Sequence, residues 1–239
     1  MLRLPLLIGL SCGPLLTLIF AAAFIGLAGW LPPPSPQLSS QEVAAIFQAS
    51  PGTLLVAMFL LMTSMGMIGP WGVAIASLLR PVEQGIPYLT YMQLVNCSLA
   101  TLVVLICPLF WAAAAFRPFD LPADILRLLN DIAWFFFLAP WPPFTCWLIA
   151  LAAAILQDKR LQPVFPRWTA FLCLWSALLF VPAGLIMIFK AGPFAWDGLI
   201  AFYIPVGIFF IWLLSLSFYA IKSVLEGRHL TEIASAGAA

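Results

Sequence analysis

Long apolar runs, separated by short polar or proline-bearing breaks, recur six times along the chain. A helix that crosses a bilayer needs about 20 apolar residues, and every run is long enough. The pattern predicts spans at roughly 4–30, 53–79, 88–116, 128–156, 168–189 and 198–221. The breaks carry signals of their own. Pro32-Pro33-Pro34-Ser35-Pro36 ends the first run, because proline cannot continue a helix. Ser39-Ser40-Gln41-Glu42 then reads as a capping box, with Val43, Ile46 and Phe47 at helical spacing behind it. That combination predicts a short amphipathic helix over 40–49 lying on the membrane surface. Arg80-Pro81 stops the second run and Gln157-Asp158-Lys159-Arg160 the fourth. Asp120 reads as the cap of the fourth helix, with Pro122 in its first turn. In that entry Ile125, Leu128, Leu129 and Ile132 form an apolar stripe, opposite Asp124, Arg127 and Asp131.

Composition turns the pattern into a class. The 239 residues are 64% hydrophobic and only 8% charged, against about 45–50% and 25% in soluble domains. The mean hydropathy is +1.09. Six spans with short loops use up almost the whole length, so residues 1–239 read as one transmembrane domain. The fold class is all-α: a bundle of about six kinked helices with a short interfacial helix. The first apolar run is too long for the 7–15 or so residues of a signal-peptide core, and reads as an uncleaved first span.

Lys and Arg placement sets the expected orientation. With the N-terminus inside, Arg3, Arg80, Lys159, Arg160, Arg167, Lys222 and Arg228 are cytoplasmic, and Arg117, Arg127 and Lys190 are outside. The expected location is thus a cell membrane, multi-pass, with both ends in the cytoplasm. A net charge of +1 makes nucleic acid an unexpected partner.

Several chemistries lack their parts. The only histidine is His229, in the tail, which removes histidine-rich di-iron sites, bis-histidine haem and a Ser-His-Asp site. The five cysteines (Cys12, Cys97, Cys107, Cys146, Cys173) make no C-x-x-C pair and read as core fillers. Met58, Met62 and Met65 share a helix face, yet no histidine or cysteine pair joins them to favour copper. No cofactor and no metal is expected. A non-enzymatic role is favoured, with a membrane enzyme using carboxylates such as Asp131 and Asp197 as an alternative.

Proline marks where a site would form. Pro14, Pro70, Pro108, Pro140, Pro182 and Pro205 put at least one in every span. Each removes a helix hydrogen bond and opens a kink. The freed carbonyls need other partners or a cavity. With this topology the prolines of spans three to six fall toward the outer half, which predicts a pocket opening outward there. Asp131, after Asn130, is a carboxylate at the hydrocarbon edge, where charge needs a partner. Arg127 and Lys190 are the nearest candidates. The ten residues from Phe189 to Gly198 form an outer loop rich in glycine and aromatics. The expected ligand-binding set is Asn130, Asp131, Trp134, Trp141, Lys190, Trp196, Asp197 and Tyr203. The expected partners are membrane lipid, a small apolar or amphipathic molecule, and a membrane-protein partner or second copy. An accessory subunit of a larger complex is the rival reading.

Pro163-Val164-Phe165-Pro166-Arg167-Trp168, the Lys190–Gly198 loop, Asn130-Asp131 and the aromatic run of span four resemble a family of small bacterial polytopic membrane proteins. The resemblance covers about 120–222. It implies a bacterial inner-membrane protein, and brings no assigned activity, site or substrate.

Overall fold

A computed structural model describes residues 3–227; Arg228 and His229 lie outside the described residues. Among those residues there is no strand, and six helical segments are long and apolar enough to cross a membrane. The chain is a multi-pass helical membrane protein. Span one is α1 (Arg3–Phe20) continued by π-helix (Ala21–Leu27). The interfacial helix is α2 (Ser40–Ala49), with the capping box formed: the Ser39 N–H donates to Glu42 Oε2 at 2.7 Å.

Span two is two helices, α3 (Pro51–Gly66) and α4 (Ile68–Leu79). The Met67 N–H bonds Ser64 O at 3.0 Å, one residue tighter than an α-turn. Pro70 has no N–H to offer the carbonyl of Gly66, so the helix restarts there. Span three, α5 (Tyr88–Phe116), stays unbroken through Pro108. Its Cys107 thiol donates to Val104 O at 3.0 Å, the acceptor that Pro108 leaves empty. Glu83 caps the start of α5, accepting from the Leu89 and Thr90 N–H groups at 2.6 and 2.8 Å and from the Thr90 hydroxyl. Burial pushes this carboxyl up, but those hydrogen bonds and Arg80 outweigh it and hold it below the usual range.

Span four is not one continuous helix: it is α6 (Ala123–Leu138), which carries the amphipathic entry, and α7 (Trp141–Gln157), parted at Pro140, one of the expected kinks. Pro140, Pro142 and Pro143 remove three donors in succession, and the residue before a proline avoids the helical region. Nor does Asp120 cap α6. The cap position is Pro122, without a side-chain hydrogen bond, and Asp120 closes a turn onto Arg117 O. The stripe containing Ile125 and Leu128 faces outward, 41% and 53% exposed. The buried face is Leu126, Asn130, Ala133 and Trp134. Outside a membrane, apolar residues point inward; within one, lipid accepts them on either face.

Span five is α8 (Trp168–Phe180) followed by 3-10 helix (Val181–Met187) around Pro182. Span six begins as π-helix (Leu199–Tyr203) and becomes α9 (Ile204–Leu225) at Pro205. Consecutive spans pack on one another, and α9 also packs on α1, closing a ring of six. Both described ends share one face, where Arg3 donates to Leu225 O at 3.2 Å. On this terminal face Arg160 forks onto Asp158 at 2.7 Å and reaches Leu78 O, latching span four to span two.

Candidate functional site

The ring leaves an axis, and two layers of aromatic side chains close it, with a cavity between them. Nearest the terminal face, Trp71 on α4, Trp147 on α7 and Trp212 on α9 meet edge to face, with centroids 5.2–5.8 Å apart. All three are fully buried. The Trp71 indole donates to Ser217 Oγ at 2.8 Å, and Gly13 on α1 supplies the room: a Cβ there would strike Ser217 and Trp71. Gly72 makes the same allowance for Cys97 and Trp147.

At the far face a second aromatic layer closes the axis. Trp30 lies 4.7 Å from Trp111, Trp111 5.1 Å from Trp134, and Phe24 6.1 Å from Phe202. Offset and edge contacts of this kind add about 0.5–1.5 kcal/mol per pair beyond area. Asn130 supplies the polar anchor by accepting from the Trp111 indole at 3.2 Å. Trp196 stacks on Trp134 at 6.0 Å and donates to Pro34 O at 2.8 Å, pinning the last loop to the first. That loop is tight enough to require glycine at 198, where a Cβ would strike the carbonyls of Gly192 and Pro193.

Between the two layers is a cavity. It has room for the centre of a water-sized sphere over about 80 Å³, and all six spans line it. Leu16 and Phe20 come from span one, Met65 and Ile68 from span two, and Val104 from span three. Span four contributes Phe137, Leu138, Pro140, Trp141 and Phe144, the residues around its break. Phe180 and Ala183 flank Pro182, and Pro205, Val206, Phe209 and Phe210 complete the wall. Thus the interruptions of spans two, four, five and six converge on one level. Where a helix unwinds its side chains no longer interlock with the neighbours' ridges, and space opens. Phe209 touches Trp212 below at 5.8 Å, and Phe20 touches Phe24 above at 5.1 Å, so floor and roof are the two aromatic layers.

The wall is apolar. A water centre needs only about 10–15 Å³, so room is not what excludes water; the lack of hydrogen-bond partners does. The chemistry on offer is dispersion and ring contact, with no group poised to make or break a bond.

The eight residues expected to bind ligand are not one site. Only Trp141 lines the cavity, its indole against Gly184, where a Cβ would lie 2.6 Å from Nε1. Trp134, Trp196 and Asn130 belong to the far aromatic layer and are buried within it. Asp131 is half-buried on the outer flank of α6, in the field of Arg127 and Lys190. Lys190 and Tyr203 are exposed and Asp197 half-exposed. The pocket therefore sits at mid-depth, roofed, and is built by all six spans, whereas the sequence reading placed it in the outer half among spans three to six. Phe144, Phe180 and Phe209 were missed. Their signal was present: each lies within four residues of a mid-span proline. Among the described residues no three His, Cys, Asp or Glu side chains gather to hold a metal.

No family model matches the chain, and no curated protein and no solved structure matches it.

Proposed function

We propose that the protein holds a small apolar molecule in the axial cavity at mid-membrane. The observation that supports this most is the convergence of four helix interruptions on one aromatic-lined, hydrogen-bond-poor space. Helices broken only by tolerance of proline would break at unrelated depths. A dry apolar cavity loses dispersion contacts along its whole lining, and an apolar guest restores them. The host is a non-enzymatic binding or transport-related protein of a bacterial inner membrane, both ends in the cytoplasm. Among the described cations, Arg3, Arg80, Lys159, Arg160, Arg167 and Lys222 lie toward the terminal face, and Arg117, Arg127 and Lys190 toward the other.

Native mass spectrometry of protein extracted gently from its own membrane tests the reading. The wild type should carry a discrete apolar mass that survives detergent exchange. Ala183→Phe, which fills the cavity, should lose it while melting within a few degrees of wild type. Gly184→Ala, which pushes Trp141 toward the cavity, should reduce it. A bare wild-type protein, or an equal adduct in all three, contradicts the proposal.

A further inference from the structure

A second hollow lies on the opposite side of α5 from the axis, facing lipid. Leu109, Ala112, Ala113 and Phe116 of α5 form its floor, with Leu55 of α3 and Leu121 as walls and Arg117 at its mouth. The hollow exists because two alanines stand between Leu109 and Phe116, leaving a gap one side chain deep. From Phe116 to Leu109 is two helical turns, about 10 Å along the axis. The groove thus runs from the end of the span, where Phe116 and Phe119 are 67% and 71% exposed, down into the apolar zone.

Charge is arranged to match. Arg117 follows the last residue of α5, and its guanidinium lies 5.7 Å from the Phe116 ring centroid. Among the described residues it forms no ion pair and its side chain donates no hydrogen bond to the protein. The loop that carries it is fixed from the other side, where Gln48 on α2 donates to Pro118 O at 2.9 Å. A held cation at headgroup level above a one-chain-wide apolar groove has the polarity of a phospholipid: anion at the surface, hydrocarbon beneath.

We propose that this groove is a specific site for an anionic phospholipid, its phosphate on Arg117 and one acyl chain along Ala113, Ala112 and Leu109. The site is separate from the axial cavity and does not depend on its occupant. A planar guanidinium meets two phosphate oxygens at once, which a lipid lacking phosphate cannot offer.

The test is lipid titration of the delipidated full-length protein, read by native mass spectrometry. The probes are phosphatidylglycerol and a diacylglycerol with the same chains. The wild type should saturate with one tightly held phosphatidylglycerol and bind diacylglycerol more weakly. Arg117→Gln should weaken the phosphatidylglycerol adduct about fivefold. Ala113→Trp, which fills the groove from an exposed position, should abolish it with the melting temperature unchanged. Equal binding of both lipids, or undiminished phosphatidylglycerol on either variant, overturns the proposal. So does a dimer mass that Ala113→Trp disrupts, since the occupant is then a second copy of the chain.

Discussion

The two halves of the axis are built from the same kind of residue and end in opposite states. In the terminal half Trp71, Trp147 and Trp212 fill the space. At mid-depth Phe20, Phe144, Phe180 and Phe209 surround a space and leave it open. Two differences separate them: indole is larger than phenyl, and the backbone is more continuous around most of the tryptophans. Trp147 and Trp212 project from regular stretches of α7 and α9, Trp71 from the first turn of α4 just after Pro70, and Gly13 and Gly72 let neighbouring helices close onto them. The phenylalanines stand beside interruptions at Met67, Pro140, Val181 and the start of α9, where facing helices cannot interdigitate. Rings on continuous helices pack; rings at converging breaks line a cavity.

This contrast can be broken by substitution. Trp147→Ala should have the largest effect, about 3–5 kcal/mol, because it empties the centre of the packed trio. Unfolding of the purified protein in mixed micelles would show it. Gly13→Val should follow at about 1–3 kcal/mol, since a Cβ there strikes Trp71 and Ser217. The sharper comparison is with Ala183→Phe, a larger addition at the cavity wall, which should cost less than Gly13→Val because the added ring has open space to enter. Equal losses for Gly13→Val and Ala183→Phe would erase the distinction between the two halves. Trp71→Phe keeps a ring but removes the bond to Ser217, and should cost about 0.6–1.7 kcal/mol.

The smallest expected effect lies outside the membrane. Glu83 has a folded-state carboxyl below its unfolded value, so its cap on α5 contributes fully above the unfolded pKa, near 4.3–4.5. The contribution fades as pH falls through the folded value. Glu83→Gln should flatten the acid limb of a melting-temperature profile and leave the neutral region close to wild type. An unchanged acid limb would remove Glu83 from the account.

Much of the fold was legible in the sequence for one physical reason: the bilayer imposes a length and a composition on every span. The six runs and the capping box of α2 needed no tertiary knowledge. What escaped was the direction in which residues face. On α6 the stripe with Ile125 and Leu128 has a clean helical period yet points outward, since lipid is as apolar as the core. The same ambiguity hid the axial cavity. Asp131 and Lys190 drew notice because charge is rare in this chain, but they belong to its flank. The cavity wall is made of phenylalanine, the least distinctive residue type in a membrane helix, and only adjacency to proline marks it. Two further details could not be read from spacing alone: that the Cys107 thiol would donate to the Val104 carbonyl that Pro108 leaves without a donor, and that the breaks of four spans would fall at one level.

The most direct test of the axial cavity is diffraction from crystals of protein stripped of any bound apolar guest and pressurised with xenon, which enters dry apolar cavities and binds by dispersion alone. The account predicts one strong xenon peak on the axis, among Phe144, Phe180 and Phe209, and its loss in Ala183→Phe. An axis with no peak, closed by the same phenylalanines packed against one another, would contradict it.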